Sequence, residues 1–374
     1  ELNYRRFFTI NDLISLRIEE EKVFEFTHEL ILQLVAENKI NGLRIDHIDG
    51  LYDPAQYLQR LREKAPYVYL IVEKILEHGE KLPVSWPCQG TSGYDFLGAV
   101  NRLFCQPASE AAFTALYHAF IGDATSCETL IDHNKRMIVD KHLAGDIDNL
   151  AHLLKRISER YRYASDFTLY GLQVALIEIM VQFPVYRSYI GRAGVSRADQ
   201  DCIDRVMTQA RPNIPYFRNE LEFIKRFLRL EFDEHMAAED KDQWLHFVMR
   251  LQQFTGPLMA KGVEDTVFYV YNRLLSLNEV GAGPLQFGID LDEFHAFNQH
   301  RVSCWPHAMN ASATHDTKRG EDVRARLNVL SEMPAEWERC LREWHDINRQ
   351  HKMRFDDGEA PGKDDEYLLY QTLL

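Results

Sequence analysis

Paired cysteines are missing from this sequence. Its six cysteines, Cys88, Cys105, Cys127, Cys202, Cys304 and Cys340, lie scattered over 374 residues with no Cys-x-x-Cys pair. Neither a zinc site nor a disulfide framework is signalled. A long apolar run is also missing, and so is a signal peptide, which leaves no membrane-spanning segment to expect. These absences predict a reduced, cytoplasmic protein. An excess of positive charge is missing as well. Lys and Arg number 43 against 57 Asp and Glu, a net charge of −14. That argues against nucleic acid and anionic membrane as partners and suits a neutral ligand.

What is present reads as a soluble globular chain, 45% hydrophobic and 27% charged, long enough for one large or two ordinary domains. Aromatics are plentiful, with 17 Tyr, 21 Phe and 5 Trp. They suit sugar stacking, though cores use them more often.

The run Asn41-Gly42-Leu43-Arg44-Ile45-Asp46-His47-Ile48-Asp49-Gly50-Leu51 is the centre of the reading. A turn signal precedes apolar Leu43 and Ile45, which alternate with Arg44 and Asp46, the period of a short strand. Arg44 and Asp46 then share one face at its C-terminal end. An amphipathic helix over 20–38 precedes it, with Val23, Phe26, Leu30, Leu34 and Val35 near helical spacing. A Pro54-started helix over 55–64 follows. Then Tyr67-Val68-Tyr69-Leu70-Ile71-Val72-Glu73-Lys74 reads as a second buried strand. Asp46 and Glu73 thus end two strands of a βαβ unit, parallel neighbours or near neighbours. Taken singly, each acid could equally be a helix-start residue.

Elsewhere, residues 9–12 read as a helix start, and 82–96 as a turn-rich loop. From 96 to about 254 the periodicity is helical, with Asp166 as N-cap of a helix over 167–182 and Pro184 closing it. Helices over 148–163, 203–210, 219–232 and 240–254 belong to the same block. Pro184-Val185-Tyr186-Arg187-Ser188-Tyr189 is a candidate substrate-facing wall. This block is too long for a barrel crossover and reads as an inserted helical subdomain. Residues 255–273 break the helical pattern. Then Ala311-Ser312-Ala313-Thr314-His315-Asp316 reads as a small-residue strand end delivering an imidazole and a third carboxylate. A helix N-cap is the alternative there. The last residues, 366–374, look like a helix cut short.

Gly42-Leu43-Arg44-Ile45-Asp46-His47, Glu73 and His315-Asp316 together resemble the three catalytic blocks of the α-amylase superfamily of retaining glycosidases. Within it, Asn3-Tyr4-Arg5-Arg6-Phe7-Phe8, Gly90-Thr91-Ser92-Gly93-Tyr94-Asp95-Phe96, Met259-Ala260-Lys261-Gly262-Val263-Glu264-Asp265-Thr266, residues 314–326 and 365–373 resemble the maltooligosyl trehalose synthase family. The resemblance implies an α/β chain, a partial (β/α)8 TIM barrel of about strands four to seven with a large all-helical insertion. Residues 1–98 and 255–374 are then the two parts of the barrel segment and 99–254 the insertion. The family's first three strands, with their Asn-His block, and everything after Leu374 have no counterpart here, so the segment alone is expected to be inactive.

By the same resemblance Asp46 is the nucleophile, Glu73 the general acid/base and Asp316 the transition-state stabiliser. Retention needs the first two carboxyls about 5–5.5 Å apart. Arg44 keeps Asp46 ionised, His47 and His315 bind hydroxyls, and Tyr94, Lys261 and Phe268 form the pocket for a freed glucose. No metal or cofactor is implied. The implied reaction is an intramolecular transglucosylation. It turns the reducing-end α-1,4 linkage of a maltooligosaccharide or α-1,4-glucan into an α,α-1,1 linkage, with a maltooligosyl trehalose hydrolase as functional partner. An α-glucan hydrolase, or an inactive helical or glycan-binding segment, remains the alternative.

Overall fold

Short apolar runs and their polar flanks decide the first elements. The structure, a computed structural model, describes residues 4–7, 10–356 and 358–374. Asn3 and Phe8 of the opening motif, and Thr9, lie outside the described residues. Strands β1 (Arg6–Phe7) and β2 (Ile10–Ile14) pair antiparallel, so Ile10–Asp12 are extended where the sequence suggested a helix start. Asn11 has no cap to make, because its side chain accepts from Arg6 at 2.7 Å and its carbonyl from the Tyr4 hydroxyl at 3.0 Å.

Helix α1 (Glu21–Ala36) leads to β3 (Gly42–Ile45), α2 (Pro54–Lys64) and β4 (Tyr69–Val72). Asp53 caps α2 by accepting from Gln56 N, with Pro54 at the first position. Strands β3 and β4 are parallel, with Ile45 opposite Val72. Both therefore end in phase at Asp46 and Glu73. Helices α3 (Tyr94–Leu103), α4 (Glu110–Ile121), α5 (Cys127–Ile138), α6 (Ala144–Ser158), α7 (Leu169–Val181), α8 (Arg197–Asn213), α9 (Arg218–Leu228) and α10 (Ala238–Met259) follow. The cap of α7 is Thr168, whose hydroxyl accepts from Gly171 N at 3.0 Å, and not Asp166. The later elements are α11 (Phe268–Val270), α12 (Leu291–Cys304), α13 (Glu321–Val329), α14 (Pro334–Asn348), the antiparallel pair β5 (Met353–Phe355) and β6 (Gly358–Ala360), and α15 (Lys363–Thr372).

Two expectations fail here. Residues 255–270 do not break the helical pattern. Helix α10 runs through Pro257 to Met259 and widens into a π-helical run, Ala260–Val267. Proline removes one helical donor and loosens the ladder at that point without ending it. Nor does a strand precede His315. Among the described residues, β3–β4 is the one parallel pair. The carbonyls of Met309 and Ser312 accept from the guanidiniums of Arg301 and Arg324, so side chains hold groups that a strand would give to its ladder.

The chain forms two compact units. The first takes in the chain up to Lys74, Pro83–Cys88 and Asn134–Gly262. Its core is the packed set α6 to α10, where Phe227 stacks on Trp244 at 3.8 Å and Leu221, Ile224 and Phe247 are fully buried. The second takes in Ile75–Leu82, Gln89–His133 and Val263–Leu374. Its core centres on Tyr367, which is fully buried, accepts from Trp337 Nε1 at 3.2 Å and donates to Arg273 O at 3.0 Å. Residues 99–254 contribute to both units. Among the described residues no helix is long and apolar enough to cross a membrane.

Candidate active site

The ladder of β3 and β4 ends with Glu73 N donating to Ile45 O at 2.8 Å. Beyond it the chain turns sharply. His47 adopts the left-handed conformation, with φ 48 and ψ 46, an uncommon state for a residue with a side chain. That conformation aims its backbone N–H at Glu73 Oε2, 2.8 Å away. Arg44 and Asp46, two apart on one strand face, form an ion pair at 2.7 Å, with 62% of the Asp46 side chain exposed.

Burial pushes the Glu73 carboxyl up from its ordinary 4.5 to about 7. The His47 N–H opposes that rise, while Asp46 and Asp49 add to it by repulsion. Burial lowers His47, against the pull of Asp49. His47 also lines a polar cleft of about 450 Å³ with Arg5, Asp146, Asn149 and Phe254.

The sequence missed what braces this mouth. Asp49 is buried and pairs with Lys74 at 3.2 Å, and its carboxylate also accepts from the Tyr189 hydroxyl. Arg187, 2% exposed, donates to the carbonyls of Asp49, Leu51 and Tyr52. Of the expected wall, Tyr186, Arg187 and Ser188 are buried and act as a support, while Pro184, Val185 and Tyr189 are half-buried. The one available signal was Lys74 itself, a cation closing an apolar strand.

In the second unit Asp316 sits on a loop. The Tyr94 hydroxyl donates to its Oδ2 at 3.0 Å, and His315 Nε2 lies 3.1 Å from the same oxygen. Tyr94 is buried, while the His315 and Asp316 side chains are 69% and 53% exposed. Buried Glu279 grips the end of the loop, accepting from Lys318 N at 2.7 Å and Arg319 N at 3.0 Å. Phe268 is buried and lines a cleft of about 380 Å³ with Tyr269, Asn272, Arg319 and Leu368. Lys261 belongs to the first unit, half-buried in the π-helical run. Thus Arg44, Asp46, His47 and Glu73 come together in the first unit, and Tyr94, His315 and Asp316 in the second.

No family model matches the chain. A curated Mycobacterium tuberculosis protein, named as a maltooligosyl trehalose synthase, is 34% identical over 340 residues, which is 90% of this chain and 41% of that protein. The solved maltooligosyltrehalose synthase from Arthrobacter ramosus is 35% identical with a TM-score of 0.83, over 100% of this chain and 44% of that one. By sequence and by fold, the chain is similar to part of these maltooligosyl trehalose synthases. A Sulfolobus tokodaii structure described as a hypothetical maltooligosyl trehalose synthase agrees, at 34% identity and a TM-score of 0.74, over 99% of this chain and 44% of that one. The chain spans less than half the length of the maltooligosyl trehalose synthases it matches.

Proposed function

We propose that this chain carries the catalytic carboxylates of an intramolecular transglucosylase acting on maltooligosaccharides. The activity is assigned to the full reading frame that contains it. The observation that carries the reading is the parallel β3–β4 pair, which ends in phase at Asp46 and Glu73, in a chain that matches maltooligosyl trehalose synthases along its length. We take β3 and β4 as the fourth and fifth strands of an α-amylase-type barrel. The barrel segment comprises 1–98 and 255–374, with 99–254 inserted.

Asp46 attacks the anomeric carbon of the glucosyl unit next to the reducing end, and Arg44 keeps it ionised through a charge-assisted hydrogen bond. Glu73, at about 7, is protonated for much of the neutral range and gives its proton to the departing glycosidic oxygen. The C–O bond breaks as the ester to Asp46 forms. The released glucose stays bound, and Tyr94, Lys261 and Phe268 are assigned to its pocket. Its anomeric hydroxyl then attacks the anomeric carbon of the glycosyl ester, displacing the Asp46 carboxylate and returning a proton to Glu73. The product is an α,α-1,1 linkage, with configuration retained at the attacked carbon. Asp316, His315 and His47 bind hydroxyls, Asp316 as the stabiliser of the oxocarbenium-like state. Water must be kept out while the ester exists, or hydrolysis wins.

The test is product analysis on the full reading frame with a maltooligosaccharide. Loss of reducing ends with little free glucose supports the reading, and Asp46→Asn should abolish that loss while keeping substrate binding. A rise in reducing ends would assign an α-glucan hydrolase instead.

A further inference from the structure

The turn after β3 has no ladder to hold it, yet it carries the chain away from Asp46 and supplies the N–H that meets Glu73. Four consecutive carbonyls, of residues 49 to 52, are all held by remote side chains. Arg187 takes Asp49, Leu51 and Tyr52, while Arg5 and Gln253 take Gly50 at 2.9 and 3.0 Å. One ion pair then ties this turn to β4. Lys74 directly follows Glu73, so along an extended chain its side chain leaves the opposite face. Its side chain is fully buried, with the ammonium 3.2 Å from Asp49 Oδ2 and 5.7 Å from the ring centres of both Tyr186 and Tyr189. Burying an ammonium is costly, and an apolar side chain of similar volume often serves stability equally well. Bulk alone is therefore a poor account of a lysine here.

Resting on the reading of Asp46 and Glu73 given above, we propose that Lys74 is a positioning residue for the reaction. Its ion pair with Asp49 fixes the post-β3 turn against the end of β4 and so sets the arrangement of the nucleophile and the acid. The pair also has an electrostatic consequence. The charged and titratable groups around Glu73 are Asp46, Asp49, Arg44 and His47, with Arg5 facing His47. Those around Asp49 are Lys74, Arg187 and Tyr189. Neutralising Lys74 leaves Asp49 less compensated and raises the Glu73 carboxyl further. Neutralising Asp49 removes a repelling carboxylate and lowers it.

The experiment measures kcat, KM and the pH profile of kcat/KM on a maltooligosaccharide, in the full reading frame, for Lys74→Met, Asp49→Asn, the double variant, Lys74→Arg and Glu73→Gln. Thermal unfolding measures the folded fraction of each. The expected result is a fall in kcat of at least about tenfold for Lys74→Met, since small misplacements of reacting groups are expensive, with KM little changed. Its basic limb should move up by about half a pH unit, and that of Asp49→Asn down by a similar amount. Lys74→Arg should recover most of kcat. The double variant leaves no unpaired charge from this ion pair and is the best placed to stay folded, and it should keep the kcat defect. A folded double variant with wild-type kcat overturns the proposal. So do activities that track the folded fraction alone with an unmoved pH profile. An active Glu73→Gln would defeat the functional reading, and the proposal with it. An inactive one confines any failure to Lys74.

Discussion

Two stretches carry the candidate carboxylates, and they are held by different means. Asp46 and Glu73 follow paired strands, so a backbone ladder delivers them, and the last rung is Glu73 N to Ile45 O. His315 and Asp316 lie on a loop held by charged side chains. Arg301 takes Met309 O at its start, Arg324 takes Ser312 O, and Glu279 takes the backbone N–H groups of Lys318 and Arg319 at its end. A ladder fixes position through groups that every residue has, whereas a clamp depends on one side chain at each point. The first region should tolerate substitution structurally while responding to pH. The second should respond to single clamp residues.

The largest effect is expected at Glu73. A carboxyl raised from 4.5 to about 7 on folding binds a proton more tightly in the folded state. Its contribution is fully present below about 4.5 and is lost as pH rises through about 7. The loss is about 3 kcal/mol across that window. Glu73→Gln has no proton to lose, so it should be more stable than wild type at pH 8 by about that amount and comparable at pH 4. Denaturant titrations at the two pH values measure this. Parallel wild-type and variant stability across the window would show that the carboxyl is not held in a desolvating site.

Next comes the clamp. Glu279 is 1% exposed and its carboxylate accepts from two N–H groups of the loop and from Val280 N. Glu279→Gln turns one acceptor into a donor facing donors, with a stability cost of about 1–3 kcal/mol. Proteolysis within 309–320 should speed up at the same time. Unchanged protection would mean that Arg301 and Arg324 suffice.

The difference between the two regions also explains what could be read from the sequence. Leu43-Arg44-Ile45-Asp46 and Tyr69-Leu70-Ile71-Val72 announce themselves because a strand's period and flanking turns are local. The loop was misread as a strand end because its small residues look extended, and the side chains that occupy its carbonyls come from α12 and α13. Lys74, Asp49 and Arg187 were hidden for the same reason: burial of a charge depends on partners up to 140 residues away. Helix α1 shows the limit of periodicity itself. Its stripe was legible, but Phe26 is 81% exposed and Leu30 63%, while the helix buries Phe24, stacked on His28 and edge-on to Tyr57. Helix α9, with the same kind of stripe, buries Leu221, Ile224, Phe227 and Leu228. A period marks an apolar face. Which neighbours cover that face is not a local property.

The smallest effect is expected at the hydrogen bond that joins buried Tyr94 to Asp316. Tyr94→Phe removes the donor at 3.0 Å and leaves the ring in place, a loss of about 1 kcal/mol. It also removes the acceptor for the Thr314 hydroxyl, 3.1 Å away. Because 53% of the Asp316 side chain is exposed, water can replace the lost partner. Thermal stability should therefore hardly change. If Asp316 stabilises the transition state, its orientation matters more than its solvation, and kcat in the full reading frame should fall about tenfold with KM near wild type. An equal rise in KM with unchanged kcat would place Tyr94 in ordinary substrate binding. A loss of stability with no kinetic change would make it one more clamp on the loop, and the contrast with the ladder-held pair would then rest on structure alone.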